Sequence, residues 1–380
     1  MNCLNMLVHK ELICFFVIFS ILIFTGCSSE KPQKEALDYE GIPLVELEKE
    51  FSISESEEYI PAWIDGMFVT DSGDLLVSER GQKSIHQFDT LGNYIAQVAR
   101  SGRGPGELSR NANPHFNGKI LIMSNNNGML TEYQPNERGL YEYSTDYTFR
   151  LPGRLRGIHS IEDFSAFYVS VDSARIPFGT VPPEFTTDLI HLVRVEGDSL
   201  QVEEEVLSLK IHSSYVEISD DGNAMRYNSL PYRYSDYLIP LPGKRFMVQR
   251  PSKSAIQVYD ENLDLEHELK LNVKARLITE ADMEYHFPEV SGTELRDRRE
   301  LIMDVKPPFT QVLLDNKNRF WLQTDETESG KEYVILSYEG DPIGRTMLPS
   351  ESQIHDIHNN KLYIVNREPE TKIEVYSVQL

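Results

Sequence analysis

The sequence predicts an all-β fold made of six copies of one four-stranded unit, and three observations carry that reading. Six stretches share a turn, about three large apolar residues and then a small polar one. They are SGDLLVS ending at Ser78, NGKILIMS at Ser124, DFSAFYVS at Ser170, PGKRFMVQ at Gln249, NKNRFWLQ at Gln323 and NNKLYIVN at Asn366. The steps between the polar positions are 46, 46, 79, 74 and 43 residues, so the period is near 45 and two units carry extra chain. Within the first unit, turn residues recur roughly every 8–12 positions, as a meander of short antiparallel strands requires. Four-strand units at this period make a six-bladed β-propeller.

In chain order, residues 1–26 read as an export signal. Lys10 precedes an apolar run at 12–24, too short to cross a bilayer comfortably and suited to a signal-peptide core. The run ends in Phe24-Thr25-Gly26-Cys27, which resembles a bacterial lipobox, where the chain is cut before the cysteine and that residue takes lipid. Cys27 is the expected lipidation site. Residues 27–43 are polar, contain proline, and read as a flexible tether. The propeller is expected over 44–380. Blade one pairs 67–71 with 74–78 around Asp71-Ser72-Gly73-Asp74, then continues through 85–89 and 94–99. A third strand recurs at 85–88, 130–133, 256–259, 334–338 and 373–376, with a branched or apolar residue and an aromatic on one face. Blade six stops after its third strand, and an unused strand lies at 44–53. That N-terminal strand is expected to complete blade six and close the ring, which removes exposed edges. The long steps place insertions near 199–234, between blades three and four, and near 279–305, between blades four and five. The second is expected to be helical: Ser291-Gly292-Thr293-Glu294 has capping-box spacing ahead of LRDRRELIMDV, and Thr279-Glu280-Ala281-Asp282 is a second such box.

Composition narrows the partners. The cysteines are Cys3, Cys14 and Cys27, so the mature chain has no disulfide framework and must rely on packing. Its formal net charge of −23 disfavours nucleic acid and electrostatic docking on anionic lipid, leaving Cys27 to supply membrane contact. No Asp follows Cys27 to signal inner-membrane retention. The expected location is therefore the bacterial cell envelope, lipid-anchored at the outer membrane.

Several clusters carry possible chemistry. Ser101-Gly102-Arg103-Gly104-Pro105-Gly106-Glu107-Leu108 leaves blade one, and its successive amides suit an anion-binding nest with Arg103 adding charge. No Gly-Lys-Ser/Thr follows, so it is not a P-loop. With this GRGPGE stretch, six degenerate blades and a lipobox, the chain resembles the six-bladed β-propeller lipoproteins of Bacteroidota, similar in blade pattern to NHL-repeat and TolB-like propellers. The resemblance covers roughly 44–380. It implies a secreted, membrane-anchored binding scaffold and carries over no catalytic residues.

Other six-bladed propellers, the gluconolactonase-like and paraoxonase-like hydrolases, hold a divalent metal in the channel with Glu, Asn and Asp. Candidates here are Glu79, Asn125, Asp172, Asp325 and Asn366, whose oxygens suit calcium. The same strand ends carry Arg80, Arg250 and Arg367, which would hold carboxylate or sulfate if they converge. Tyr227, Tyr232 and Tyr234, with Arg226 and Arg233, suit stacking on sugar rings or clamping a peptide. There is no G-x-S-x-G and no H-E-x-x-H, and His355 and His358 are spaced for opposite strand faces. The leading expectation is a non-enzymatic module that binds a glycan, a small anionic ligand or an envelope protein without a cofactor. The alternative is a calcium-dependent lactonase or esterase-like hydrolase.

Overall fold

Leu75-Leu76-Val77 shows how the local sequence becomes tertiary structure. Successive side chains of a strand leave opposite faces. Leu75 and Val77 enter a core shared with one neighbouring blade, and Leu76 enters a core shared with the other. An unbroken apolar run is therefore the mark of a strand covered on both sides. The computed structural model of the chain describes residues 36–108, 112–125, 129–148, 154–160, 166–172, 184–196, 199–212, 215–218, 225–228, 230–232, 234–241, 245–290 and 292–380.

The chain enters through β1 (Leu47–Ile53). Blade one is β2 (Ile64–Val69), β3 (Leu75–Glu79), β4 (Ser84–Phe88) and β5 (Tyr94–Ala99). Blade two is β6 (Asn113–Phe116), β7 (Leu121–Ser124), β8 (Met129–Pro135) and β9 (Tyr141–Thr148). Blade three is β10 (Arg154–Ser160), β11 (Ala166–Asp172), β12 (Phe185–Glu196) and β13 (Ser199–His212), followed by a hairpin of β14 (Tyr215–Ile218) and β15 (Met225–Asn228). Blade four is β16 (Tyr237–Leu241), β17 (Arg245–Arg250), β18 (Ala255–Tyr259) and β19 (Leu265–Lys270). Two helices, α1 (Glu280–His286) and α2 (Gly292–Glu300), precede blade five: β20 (Gln311–Leu314), β21 (Phe320–Thr327), β22 (Gly330–Leu336) and β23 (Pro342–Leu348). Blade six is β24 (Ser352–His358), β25 (Lys361–Asn366) and β26 (Lys372–Val378), with β1 paired antiparallel to β26 as its outer strand.

Six apolar cores lie between consecutive blades, and the sixth joins Tyr363, Val365, Ile373 and Val375 of blade six to Ile64, Met67 and Val77 of blade one. This makes the array a ring. First strands adjoin one another from β24 through β2, β6 and β10 to β16, so they form its inner wall.

The recurring polar residue sits opposite the same point of each inner strand. Ser78 faces Gly66, Ser124 faces Asn113, Ser170 faces Gly157, Gln249 faces Tyr237, Gln323 faces Gln311 and Asn366 faces Ser352.

One boundary differs from expectation. The insertion placed at 199–234 begins only after β13, because β12 and β13 form a hairpin of 12 and 14 residues that projects past the blade. Its third strand escaped the sequence pattern because β12 lacks the aromatic that ends the others. In the helical insertion the expected Thr279 box forms: the Thr279 hydroxyl accepts from the Asp282 amide, and the Asp282 carboxylate accepts from the Thr279 amide. Ser291 lies outside the described residues.

Candidate functional site

In an antiparallel four-stranded sheet, the start of the first strand, the end of the second, the start of the third and the end of the fourth share one edge. Second-to-third connections and blade-to-blade connections therefore emerge on one face of the ring. The candidate metal ligands and arginines singled out from sequence end second strands or lie in these connections. Glu79 and Arg80 end β3, Asn125 follows β7, Asp172 ends β11 and Arg250 ends β17. Asp325 lies near the end of β21, and Asn366 and Arg367 end β25. Arg103 lies between β5 and β6, and the three tyrosines lie between β13 and β16.

Blade one builds the most developed corner of this face. Glu79 is fully buried, and its carboxylate accepts from the Tyr59 hydroxyl at 2.6 Å and the Ala62 amide at 3.2 Å. Burial pushes its carboxyl up, against the bonds from Tyr59, Ala62 and Trp63. Glu79 thus pins the β1–β2 connection, as do the Arg80 amide on the Trp63 carbonyl at 2.7 Å and the Gln82 amide on the Ile60 carbonyl at 2.7 Å.

So braced, the connection shows Trp63 to solvent, 56% exposed, with the Arg80 guanidinium 5.9 Å from its ring centre. Asp65 is the extra residue of a β-bulge, since Ile64 faces Glu79 and Gly66 faces Ser78. Its Oδ2 lies 3.9 Å from Arg80 Nε, and its Oδ1 is buried with no hydrogen-bond partner. Burial pushes the Asp65 carboxyl up, with Ser78 and Arg80 opposing. Arg80 also reaches Asn113 Oδ1 at 3.4 Å, at the start of β6. Asp65, Glu79, Arg80 and Lys83 line the polar side of a small pocket here, and Leu108 and Met123 its apolar side.

The arginines divide. Arg250 is buried, donating to Asp236 Oδ2 at 2.6 Å and Gln257 Oε1 at 2.7 Å, so it is a structural pair and leaves the expected set. Arg80 and Arg367 stay at the surface, the latter reaching Gln353 Oε1 at 3.2 Å. Sequence reading missed Arg156. It is the bulge residue of blade three, in the position Asp65 holds in blade one, and its guanidinium meets Asp172 at 2.6 Å while the side chain stays 45% exposed. The signal was Gly157, which matches Gly66 in register with the recurring serine. Trp63 was missed too; the cue was one tryptophan in a repeated strand, Trp321, and one outside any repeat.

Tyr232 and Tyr234 do not form a surface. Tyr232 and Tyr234 are 7% and 8% exposed. Tyr232 packs with Met283, Phe287 and Ile302 in the core of the insertion, its hydroxyl 3.2 Å from His286 Nε2. Tyr234 donates to the Val305 carbonyl at 3.4 Å. The Tyr227 backbone lies in β15, and its side chain lies outside the described residues.

Nearby, Lys306, 7% exposed at its side chain, donates to Asp282 Oδ1 at 2.6 Å and to both Asp325 oxygens at 2.9 and 2.8 Å. Burial raises the Asp282 carboxyl, but Lys306 and Thr279 overcome it and hold the group below its ordinary range. Arg276 adds contacts to Asp325 at 3.4 Å and Glu332 at 3.6 Å. Asp325 therefore helps clamp the helical insertion to blade five.

The expected anion nest is filled by the chain itself. Glu107 Oε2 accepts from the amides of Arg103 and Gly104, each at 2.9 Å, and Oε1 from Arg100 Nε at 3.0 Å. A Cβ at Gly102 would lie 1.9 Å from Glu107 Oε2, and Gly106 takes φ +71° against the Tyr143 ring. The glycines thus serve a self-contained crossover. Asn125 caps its own loop by accepting from the Met129 amide at 3.1 Å, and Asn366 sits in register between Ser352 and Lys372. Among the described residues, no three His, Cys, Asp or Glu side chains are grouped to hold a metal ion.

No protein-family profile matches the chain, and no curated protein matches it in sequence. Solved structures match its fold. One is a Bacteroides fragilis protein described as a candidate exported protein, 9% identical with TM-score 0.52, over 89% of this chain and 95% of that one. Another is a member of the DUF4221 family from Bacteroides vulgatus, 13% identical with TM-score 0.50, over 88% of this chain and 98% of that one. At these identities the likeness is one of fold.

Proposed function

We propose that this chain is a lipid-anchored, non-enzymatic binding module of the bacterial cell envelope that takes its ligand on the connection-bearing face. One observation carries the reading. Arg80, Arg156 and Arg367 keep their guanidinium groups at the surface beside the inner-strand starts of blades one, three and six. Guanidinium groups at such a rim suit carboxylate or sulfate. The hydrolase reading has less support, because the oxygens of Glu79 and Asp325 are already engaged by Tyr59, Ala62, Lys306 and Arg276.

The test is calorimetric titration of the full chain with citrate and with a sulfated oligosaccharide. At least one should bind, and the double variant Arg80→Ala, Arg367→Ala should weaken it by about tenfold or more, equivalent to about 1.4 kcal/mol. Affinity unchanged in that variant, or chelator-sensitive hydrolysis of a lactone, would replace this reading.

A further inference from the structure

The blade-one corner supports a more specific assignment, which rests on the reading that this face binds ligand. We propose that Trp63, Asp65 and Arg80 form a subsite for a neutral pyranose ring of a glycan, stacked on the Trp63 indole and held through adjacent hydroxyls by Asp65 and Arg80.

Four observations converge on it. Trp63 is large, exposed and rigidly presented, since Glu79, Arg80 and Gln82 hold the connection on which it stands. A fixed aromatic gives contact area at little entropic cost, and a sugar ring offers a flat C–H face to meet it. Beside it stand an acceptor, Asp65 Oδ2, and a donor group, the exposed Arg80 guanidinium, 3.9 Å apart. Adjacent sugar hydroxyls each give and take a hydrogen bond, so a carboxylate next to a guanidinium matches them. The Asp65–Arg80 separation of 3.9 Å is longer than a hydrogen bond, so a hydroxyl entering between them displaces no short ion pair. Finally, Asn113 Oδ1 at the start of β6 is a further acceptor, 3.4 Å from Arg80.

Other occupants fit less well. Glu55, Glu57 and Glu58 are exposed on the same connection and favour a neutral ring over an acidic one at this corner, which leaves carboxylate and sulfate chiefly to Arg156 and Arg367. The exposed large apolar side chains of this connection are Ile60 and Trp63, far less than the apolar centre that a stable protein interface buries.

The molecule carries its own probe. Of its two tryptophans, Trp321 is fully buried and Trp63 is exposed, so a ligand stacked on Trp63 changes its emission. The full chain would be titrated with dextran, a mannan, a xylan and a β-1,3-glucan, with citrate and polyglutamate alongside. One neutral polysaccharide is expected to shift the emission to the blue, saturably. In calorimetry, Trp63→Ala should weaken that binding by about tenfold and Asp65→Asn by about fivefold. Trp321 emission and circular dichroism verify that both variants fold.

The inference is overturned if none of the four glycans binds, if binding ignores both substitutions, or if polyglutamate gives the same Trp63 response. Citrate separates the two levels. If citrate binds through Arg367 and glycans do not, only this inference falls. If neither citrate, nor the sulfated oligosaccharide, nor any of the four glycans binds, the reading of the face falls with it.

Discussion

Lys306 is a cation held out of water by two carboxylates, and at the scale of one residue it shows what a buried pair demands. Its ammonium meets Asp282 and Asp325 at 2.6–2.9 Å, and the side chains of Lys306 and Asp282 are 7% and 6% exposed. Removing the cation leaves carboxylates that neither water nor another group can fully satisfy. Lys306→Met should cost about 3–5 kcal/mol in urea unfolding. Adding Asp282→Asn should return part of that loss, since Arg276 still serves Asp325. A loss below about 1 kcal/mol would show that water reaches the site. Nothing local marked Lys306; Asp325 was noticed, but as a metal ligand. The partners stand 24 and 19 positions from Lys306, and no local pattern records such a meeting.

Between elements, side-chain amides stand in for strand pairing. Gln249 is fully buried at the end of β17. Its Nε2 donates to the Val312 carbonyl at 2.6 Å and its Oε1 accepts from the Val312 amide at 3.0 Å, joining blade four to blade five. Gln87 does the same between blades one and two, donating to the Gly139 carbonyl at 2.8 Å and accepting from the Tyr141 amide at 3.0 Å. Gln249→Ala strands both Val312 groups and should cost about 2–3 kcal/mol by chemical denaturation. Gln249→Glu should cost more, because a carboxylate would then face the Val312 carbonyl. Equal stability of Gln249→Ala and the parent chain would mean that water replaces the clip. The recurrence of a polar residue at this point was legible in sequence. That Gln249 binds the next blade, while Ser124 bonds His115 of its own inner strand, was not.

The ring as a whole depends on β1. It pairs with β26 along its length, and ion pairs from Lys49 to Glu374 at 2.6 Å and from Glu50 to Lys361 at 2.5 Å fasten it to blade six. Deleting residues 44–53 would bare the backbone of β26, and unpaired edges recruit other strands. The shortened chain should associate with rising concentration in sedimentation velocity, beyond the full chain under the same conditions. An unchanged profile would mean that blade six tolerates a free edge. Exposed ion pairs contribute little each, so most of the fastening comes from the backbone pairing and from Ile53 in the core shared by blades six and one.

The six repeats, the strand each one centres on and the helical character of the second insertion were legible from local residue patterns. These follow from apolar runs, turn residues and caps, which act within a few positions of one another. What the chemical side chains do was settled by contacts between distant parts of the chain. Arg250 became half of a buried pair, Tyr232 and Tyr234 became core, and Glu107 filled the nest beside Arg103. Arg156 and Trp63 emerged at the surface instead. The physical reason is that a strand's period depends on its own residues, whereas a charge is spent or left free by whichever group the closed ring brings beside it.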